Sequence, residues 1–273
     1  MLVDLHVHSE GGVREMFEHA KQIGLDGLGF ADGPGFEALD DIRSAAQDTG
    51  LKGFCGCAVQ TNRGVLICYF PDVATLRTSG PWLTVDPDKP PAAKDVVIAV
   101  EQRSGVVIAA HPYYKAIPTP MGDHIFSISG LHACEAASPL ATGMQRDLAI
   151  EASDSLHLPC TGGSAARTAE HVGMAATFFP EDVADEAALC QAIRDKKCFA
   201  VLAHSEVPRE ARPSTPASRP PRVDDRGGRR PHGRRPGGPR RDGPRRDGPR
   251  RDGPRRDGPR NDGPRNDGPP RND

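Results

Sequence analysis

A change of composition near residue 206 decides how much of this chain can form a folded core. Residues 1–206 have ordinary globular content, enough for one domain with a buried interior. Residues 207–273, called the tail below, consist mainly of Arg, Pro, Gly, Asp and Asn, and Val207 and Val223 are their only aliphatic residues larger than Ala. Because so little apolar surface can be buried there, we expect one folded domain over 1–206 and a disordered tail.

The formal net charge of −2 hides an opposite balance in the two parts. The tail carries 20 Arg and 10 acidic residues, whereas residues 1–206 carry 15 Lys or Arg and 27 acidic residues. An acidic domain therefore bears a basic tail. Arg binds phosphate and carboxylate through its planar guanidinium, so the tail predicts weak, salt-dependent attachment to an acidic protein, a nucleic acid or another polyanion, or to the acidic body of this protein.

The tail contains a five-residue repeat, Arg-Arg-Asp-Gly-Pro, that starts at Arg240 and later becomes Arg-Asn-Asp-Gly-Pro. The candidate polyanion-binding residues are the paired arginines of this repeat: Arg240, Arg241, Arg245, Arg246, Arg250, Arg251, Arg255 and Arg256. No aromatic residue is present to stack on bases, so any nucleic-acid binding is expected to be nonspecific. A repeat that expanded by replication slippage and has no function remains the alternative.

Strand and helix patterns alternate along residues 1–206. Strands are predicted at 1–8, 26–31, 52–60, 65–70, 106–110, 131–136, 158–161 and 198–202. Helices are predicted at 13–23, 36–48, 92–103, 142–156 and 185–195, with a hairpin turn at 61–64 and a Pro-rich loop at 78–93. Repeated strand-then-helix units predict a parallel sheet covered by helices, either as a barrel or as an open sheet.

Polar residues follow several of these strands directly. In folds of this class, functional side chains gather at the carboxyl ends of the strands. The residues placed there are His6, His8, Asp32, His111, Glu135 and Arg167. This shared placement predicts that they line one pocket.

Several motifs resemble those of the PHP (polymerase and histidinol phosphatase) family. The match covers about residues 1–202 and rests on DLHVHS at 4–9, GLDGLGFAD at 24–32, GVVIAAHPY at 105–113 and GGS at 162–164, followed by Val172-Gly173. The resemblance implies a distorted (β/α)7 barrel whose site holds two or three Zn, Mn or Fe ions and hydrolyses phosphoesters.

The chain departs from the family pattern at four ligand positions. Gly33, Ala58, Ala165 and Arg167 stand where the resemblance implies His, Glu, Asp and His. The matching metal ligands that remain are His6, His8 and His111, with Glu135 as a further candidate. A bridged metal pair needs carboxylates to neutralise its charge, and a guanidinium in their place would repel it. We therefore expect no multinuclear centre, and either no cofactor or a single residual Zn or Mn ion.

Other interpretations of these residues stay open. The remaining histidines could be hydrogen-bonded core groups instead of ligands. Asp32 could cap a helix that starts near Pro34. Arg167 could pair with Glu135 or Asp32 and so replace the missing metal charge, or it could bind a phosphate or carboxylate ligand together with Asp32.

The cysteines and the N-terminus indicate where the protein resides. Seven Cys residues occur without a CxxC pair and lie in apolar segments, which is typical of buried thiols in a reducing compartment. No signal peptide is expected, because Asp4 and two His follow Met1 at once, and no apolar segment is long enough to span a bilayer. The sequence therefore predicts a cytoplasmic protein.

Three functional hypotheses follow. The first is a non-catalytic PHP-fold scaffold, adaptor or ligand sensor that attaches to a partner through its cationic tail. The second is a metal-dependent phosphoesterase with a reduced metal site. The third is a nonspecific nucleic-acid or polyanion-binding protein in which the barrel is only a solubilising body.

Overall fold

The computed structural model describes residues 1–33, 38–83 and 89–203, all within one compact unit, Met1–Pro213. The described strands are β1 (Leu2–Val7), β2 (Gly27–Asp32), β3 (Lys52–Thr61), β4 (Gly64–Tyr69), β5 (Val106–Ala109), β6 (Ala133–Ala137), β7 (Cys160–Gly162), β8 (Ala175–Phe178) and β9 (Phe199–Leu202). The described α-helices are α1 (Val13–Gln22), α2 (Leu39–Thr49), α3 (Val73–Leu83), α4 (Ala93–Glu101), α5 (Gly143–Ser155) and α6 (Glu186–Arg194). Short 3-10 helices span Ser9–Gly11, Gly122–Ser127 and Ala169–His171.

The strands of the described residues form one nine-stranded sheet in the order β7-β6-β5-β4-β3-β2-β1-β8-β9. The pairs β1–β2, β2–β3, β5–β6 and β6–β7 are parallel. The pairs β3–β4, β4–β5, β1–β8 and β8–β9 are antiparallel. The sheet is therefore mixed. The antiparallel pair β3–β4 is the predicted hairpin, whereas the antiparallel pairs β4–β5, β1–β8 and β8–β9 differ from the predicted parallel sheet.

Strand β7, at one end of the strand order, meets β8, the second strand from the other end, through Gly162 and Thr177. Gly162 N–H donates to Thr177 Oγ1 at 2.9 Å, and the same hydroxyl donates to Gly162 O at 2.9 Å. A Cβ atom at position 162 would lie only 2.3 Å from Ala176 O, so this close approach requires glycine. The contact curls the sheet into a barrel-like α/β fold, as predicted.

Local sequence explains most of the elements. The predicted hairpin is confirmed, because Thr61 pairs with Gly64 and Thr61 Oγ1 donates to Gly64 O at 2.7 Å. Helix α5 begins with a capping box in which Thr142 and Gln145 satisfy each other's backbone N–H groups. Helix α2 ends at Gly50, whose φ of 75° is the left-handed conformation that glycine favours.

Two elements differ from the sequence-based expectation. The predicted Pro-rich loop at 78–93 is wrong at its start, since helix α3 continues to Leu83. Val73 and Leu76 are buried one turn apart and anchor that helix at its beginning. Strand β8 was not predicted, because Ala175-Ala-Thr-Phe178 is short and its alanines carry little strand preference.

Some predictions fall on positions outside the described residues. These are the start of the second predicted helix at 36–37, the part of the Pro-rich loop at 84–88, the domain boundary at 206 and the whole tail. All seven cysteines lie within the described residues and are free thiols. None of the described helices has the length and apolar character needed to cross a membrane.

Candidate metal and ligand site

A cavity of about 830 Å³ opens at the carboxyl ends of the strands and is called the central cavity below. Seven of the positions singled out in the sequence line it: His6, His8, Gly33, Ala58, His111, Ala165 and Arg167. Glu135 lies beside it and is bonded to two of its histidines. Residues far apart in sequence thus meet at one site, as the strand-end pattern predicts.

Three buried residues form the floor of the cavity and are called the floor cluster: His6, His111 and Glu135. Glu135 Oε1 accepts a hydrogen bond from His6 Nδ1 at 2.9 Å, and Oε2 accepts from His111 N–H at 2.8 Å. The rings of His6 and His111 stack with centroids 5.7 Å apart. One ligand atom from each of the three residues lies within 4.8 Å of the others.

Backbone geometry brings the floor cluster together. Gly163 follows β7 and passes so close to β1 that a Cβ atom there would lie 2.3 Å from His6 Cβ and 2.5 Å from Glu135 Oε1. His111 directly follows the apolar β5 region and has a φ of 27°, which few non-glycine residues adopt. Glycine at 163 and the unusual backbone at 111 are therefore part of how the cluster is built.

The His6–Glu135 contact is an ionic pair in a buried environment. Burial would lower the pKa of His6, but the Glu135 carboxylate outweighs it, and the pKa is raised above its ordinary value. Burial would likewise raise the pKa of Glu135, but His6 beside it holds that pKa below its ordinary value. The two residues therefore favour their charged forms together.

The pKa of His111 is shifted in the opposite direction to that of His6. Burial lowers the pKa of its ring, so the neutral form is favoured. Its Nδ1 atom is buried and has no hydrogen-bond partner among the described residues. An unpaired polar atom in such a place costs free energy unless a ligand, an ion or a water molecule satisfies it.

His8 and Asp32 lie next to the floor cluster. His8 Nδ1 is 3.9 Å from Asp32 Oδ1, and its ring centroid is 5.1 Å from that of His6. Burial, and then the neighbouring His6, lower the pKa of His8 to about 4, so its ring is neutral near pH 7. Asp32 Oδ1 accepts from Ser9 N–H at 2.8 Å. The described hydrogen bond of Asp32 thus fixes the turn after β1. The alternative role of Asp32, capping a helix that starts near Pro34, falls on residues 34–37, which lie outside the described part of the chain.

Asp4 was not assigned a role from the sequence, but in the structure its carboxylate binds three backbone N–H groups around the site. Its carboxylate accepts from Ser164 N–H at 2.9 Å, Gly173 N–H at 2.9 Å and His6 N–H at 3.2 Å. Burial raises its pKa to about 6 despite these donors. Asp4 therefore joins β1 to the loop that carries Ser164 and Arg167.

Arg167 pairs with a residue that the sequence did not suggest. Its guanidinium hydrogen-bonds the Glu10 carboxylate, and the two side chains are 58% and 68% exposed. The expected pairing with Glu135 or Asp32 is wrong, because Glu135 is already bonded in the floor cluster and Asp32 binds the turn at Ser9. Arg167 therefore stands at the opening of the cavity instead of inside it.

Three further positions of the motif pattern carry no ligand group in the structure. Ala58 on β3 and Ala165 in the loop after β7 both line the cavity. Ala165 has a φ of 52°, a conformation in which Asp and Asn are less strained than most residues. A Cβ atom at Gly33 would meet no atom of the described residues within 4 Å.

The sequence missed several groups that line the cavity. They come from loops and from the rim of the barrel and include Glu10, Gln60, Tyr114, Leu140, Thr168 and His171. Tyr114 packs edge-on against His111 with centroids 5.6 Å apart. Its place directly after the GVVIAAHPY motif, which ends at Tyr113, was the one signal that could have identified it.

Comparison with known proteins agrees with this geometry. The family model for the PHP-associated region matches residues 143–198. A two-domain protein from Bacteroides vulgatus, described as containing a predicted PHP-like metal-dependent phosphoesterase, superposes with a TM-score of 0.56 at 15% identity over 74% of this chain and 64% of its own. The chain has a PHP-type fold. The resemblance to the PHP family predicted from the motifs is confirmed by the matched segment and by the fold.

Two further solved structures have the same fold. PsfC from Pseudomonas syringae matches with a TM-score of 0.57 and 19% identity over 74% of this chain and 91% of its own. Endonuclease Q, in complex with a duplex that holds an abasic lesion at the active site, matches with a TM-score of 0.51 and 16% identity over 71% of this chain and 57% of its own. No curated protein matches this chain in sequence.

The donor set of the central cavity fits one ion and does not fit several. His6, His111 and Glu135 offer two imidazoles and a carboxylate, and the buried, unpaired His111 Nδ1 is a free donor to metal. Ala58 and Ala165 provide no bridging carboxylate, and the Arg167 side chain brings a positive charge to the opening. A second neighbouring ion would therefore lack both ligands and neutralising charge.

Proposed function

We propose that this chain is a non-catalytic PHP-fold protein whose central cavity binds an anionic ligand and whose barrel serves as a sensor or scaffold. The observation that carries the proposal is the pairing of Glu135, whose two oxygens are bonded to His6 Nδ1 and His111 N. In a metal-dependent enzyme such a carboxylate balances metal charge. Here a histidine of the same protein balances it.

The remaining charges of the cavity support the same function. His8 lies against Asp32, and Arg167 is paired with Glu10. Ala58 and Ala165 replace carboxylates by methyl groups, so the lining is less negative than a site for several cations requires. A cavity of this size with an arginine at its opening suits a small organic anion.

Restoring the four missing metal-ligand residues and measuring hydrolysis tests the proposal. The full chain is compared with a variant that carries Gly33→His, Ala58→Glu, Ala165→Asp and Arg167→His. We expect no hydrolysis of phosphomonoesters or phosphodiesters by the native chain with added Mn or Zn, and tighter metal binding by the variant. Hydrolysis by the native chain that is lost on chelation and in Glu135→Gln would contradict the proposal.

Titration with inorganic phosphate tests the anion-binding part. Arg167→Gln should weaken binding, because it removes the one guanidinium at the opening of the described cavity. Glu10→Gln should strengthen it, because the competing carboxylate is gone. Arg43→Gln, an exposed change on α2, is the control and should leave binding unchanged. Equal affinity of all four proteins would refute an anion site at Arg167.

One observation favours a second function, a phosphoesterase with a reduced site. The floor cluster groups three ligand atoms within 4.8 Å and leaves His111 Nδ1 unpaired among the described residues. A bound Zn or Mn ion would act as a Lewis acid on a phosphoester. Glu135→Gln should then abolish both metal retention and hydrolysis, whereas Glu10→Gln, a matched change at the opening, should preserve both.

The tail suggests how a scaffold of this kind attaches to a partner. Its arginines would bind an acidic protein or a nucleic acid through many weak contacts. Endonuclease Q, which shares the fold, binds duplex DNA, but its contacts do not transfer to this chain. Replacing the paired arginines of the repeat by Gln should weaken binding to single- or double-stranded nucleic acid and flatten its salt dependence. Unchanged binding would show that the tail is not the attachment site.

A further inference from the structure

Apolar side chains from four separate segments line the walls of the central cavity. They are Val65 on β4, Ile117 after β5, Leu140 after β6 and Met174 before β8. The described residues leave all four at least partly exposed, and Leu140 is 39% exposed. Ligand sites commonly combine such apolar walls with a few polar groups. A ligand with an apolar body would bury these side chains, and that burial would stabilise the complex.

Two of the lining residues favour an aromatic ring as that body. Tyr114 lines the cavity and packs edge-on against His111, with ring centroids 5.6 Å apart. Met174 carries a polarizable thioether, which makes favourable contacts with aromatic rings. An aromatic ring also brings a large apolar area with few rotatable bonds, so little conformational entropy is lost when it binds. The walls therefore suit a flat aromatic body better than a flexible aliphatic chain.

The inner end of the cavity offers imidazole nitrogens to a ligand. His6, His8 and His111 all line the cavity. Of their ring nitrogens, only His6 Nδ1 has a hydrogen bond among the described residues, and its partner is Glu135. A hydroxyl group both donates and accepts, so it can bond to a histidine nitrogen with or without a proton. The inner end therefore favours a ligand that carries a hydroxyl group there.

The opening of the cavity offers one guanidinium. Arg167 bonds the Glu10 carboxylate through Nη1, which leaves other N–H donors of the guanidinium for a ligand. Because Glu10 already neutralises this cation, a ligand with two negative charges would leave the opening more strongly anionic than a ligand with one. A carboxylate has a single charge and accepts from a guanidinium in a favourable geometry. The opening therefore favours a carboxylate.

We propose that the ligand of the central cavity is a hydroxyl-bearing aromatic carboxylic acid. Its hydroxyl group would lie at the histidines of the inner end, its ring along the apolar walls and its carboxylate at Arg167. This inference rests on the proposed function, because both place an anion in the same cavity. It adds the chemical class of the ligand, which the anion site alone does not define.

Calorimetric titration of the full chain with two hydroxy acids and their trimmed analogues tests the ligand class. The hydroxy acids, para-hydroxybenzoate and para-hydroxyphenylacetate, differ in the spacing between ring and carboxylate. Benzoate and phenylacetate lack the hydroxyl group, para-cresol lacks the carboxylate and inorganic phosphate lacks the ring.

The better-binding hydroxy acid should show the contribution of each group. We expect it to bind at least about tenfold tighter than phosphate, because the ring buries apolar surface. It should bind about fivefold tighter than the same acid without the hydroxyl group, because one hydrogen bond is lost. para-Cresol should bind at least about tenfold more weakly, because it cannot pair with Arg167.

The outcomes separate this inference from the proposed function. Phosphate binding that depends on Arg167, together with equal affinities for the hydroxy acid, the hydroxyl-free acid and phosphate, overturns the ligand class and leaves the proposed function standing. If neither phosphate nor any of the acids binds, the anion site itself is wrong and both proposals fail.

A matched pair of leucine substitutions locates the ring. Leu140 and Leu148 are 39% and 40% exposed, but of the two only Leu140 lines the cavity, and Leu148 lies on α5. Leu140→Asn should weaken binding of the hydroxy acid at least about fivefold and leave phosphate affinity unchanged. Leu148→Asn should change neither, and thermal unfolding checks that both variants are folded. Equal affinity of the native chain and both variants for the acid overturns the placement of the ring.

Nitrogen NMR of the labelled native chain gives a test that needs no substitution. The ring-nitrogen signals of His6, His8 and His111 should shift more with the hydroxy acid than with the hydroxyl-free acid. The exposed His157, at the end of α5, is the internal control and should not respond. Equal shifts with both acids would contradict a hydroxyl group at the inner end of the cavity and overturn the proposal.

Discussion

The floor and the opening of the central cavity differ in how their charges are balanced. At the floor, Glu135 and His6 are fully buried and bonded to each other at 2.9 Å. At the opening, Arg167 and Glu10 form an ion pair in which both side chains are more than half exposed. The fold therefore depends on the buried His6–Glu135 pair for stability. The Arg167–Glu10 pair adds little, because solvent already stabilises both of its charges. The comparison teaches that the buried carboxylate of the cavity is paired with a buried histidine, whereas the exposed carboxylate is paired with an exposed arginine.

The largest expected effect comes from breaking the floor pair. Glu135→Gln leaves His6 without its counter-charge and leaves one acceptor oxygen for the two donors, His6 Nδ1–H and His111 N–H. We expect a loss of about 3 kcal/mol in the free energy of unfolding, measured by urea denaturation of chelator-treated protein. A loss below about 1 kcal/mol would show that the pair is not the main charge balance at the floor.

A smaller loss in the free energy of unfolding is expected when a side chain is placed at Gly163, beside the floor cluster. Gly163→Ala puts a Cβ atom 2.3 Å from His6 Cβ, so His6 or the loop must shift, and we expect a destabilisation of about 2 kcal/mol. Gly143→Ala is the matched control, because a Cβ atom there meets nothing within 4 Å. Thermal unfolding should separate the two variants. Equal melting temperatures would contradict the close approach at Gly163.

The smallest effect on stability is expected at the opening. Arg167→Gln removes one member of an exposed ion pair, so the free energy of unfolding should change by less than about 0.5 kcal/mol. Phosphate binding, in contrast, should weaken clearly. A stability loss as large as that of Glu135→Gln would contradict the claim that the exposed pair at the opening stabilises the fold less than the buried pair at the floor.

Much of the candidate site could be predicted from sequence, because it depends on strand ends. His6 lies near the end of β1, and His8 and His111 lie just after β1 and β5. The structure brings all three to one cavity with Glu135 beside them. The partner of Arg167 could not be predicted, since Glu10 lies in a short 3-10 helix whose direction depends on tertiary contacts.

The role of Asp4 could not be predicted from the sequence for a similar reason. Its three donors come from Ser164, Gly173 and His6, and two of these are far away in sequence. A local pattern identifies the residue types that meet at a strand end. It does not identify which backbone N–H groups a buried carboxylate will bind.

The fold was predictable to the same degree. Alternating strand and helix patterns located most elements, but they do not encode strand direction. The antiparallel pairs β1–β8 and β8–β9 place a short, alanine-rich strand in the sheet through pairing alone. Tertiary pairing thus overrode local preference at β8.

Metal content measured on the native full chain tests the central claim most directly. The protein is purified without chelator, dialysed and analysed for Zn, Mn and Fe per chain. Because the floor cluster offers one set of ligand atoms, and Ala58 and Ala165 provide no bridging carboxylate, we predict at most one ion per chain. Two or more tightly held ions per chain, lost together in Glu135→Gln, would contradict the account and identify the cavity as a multinuclear metal centre.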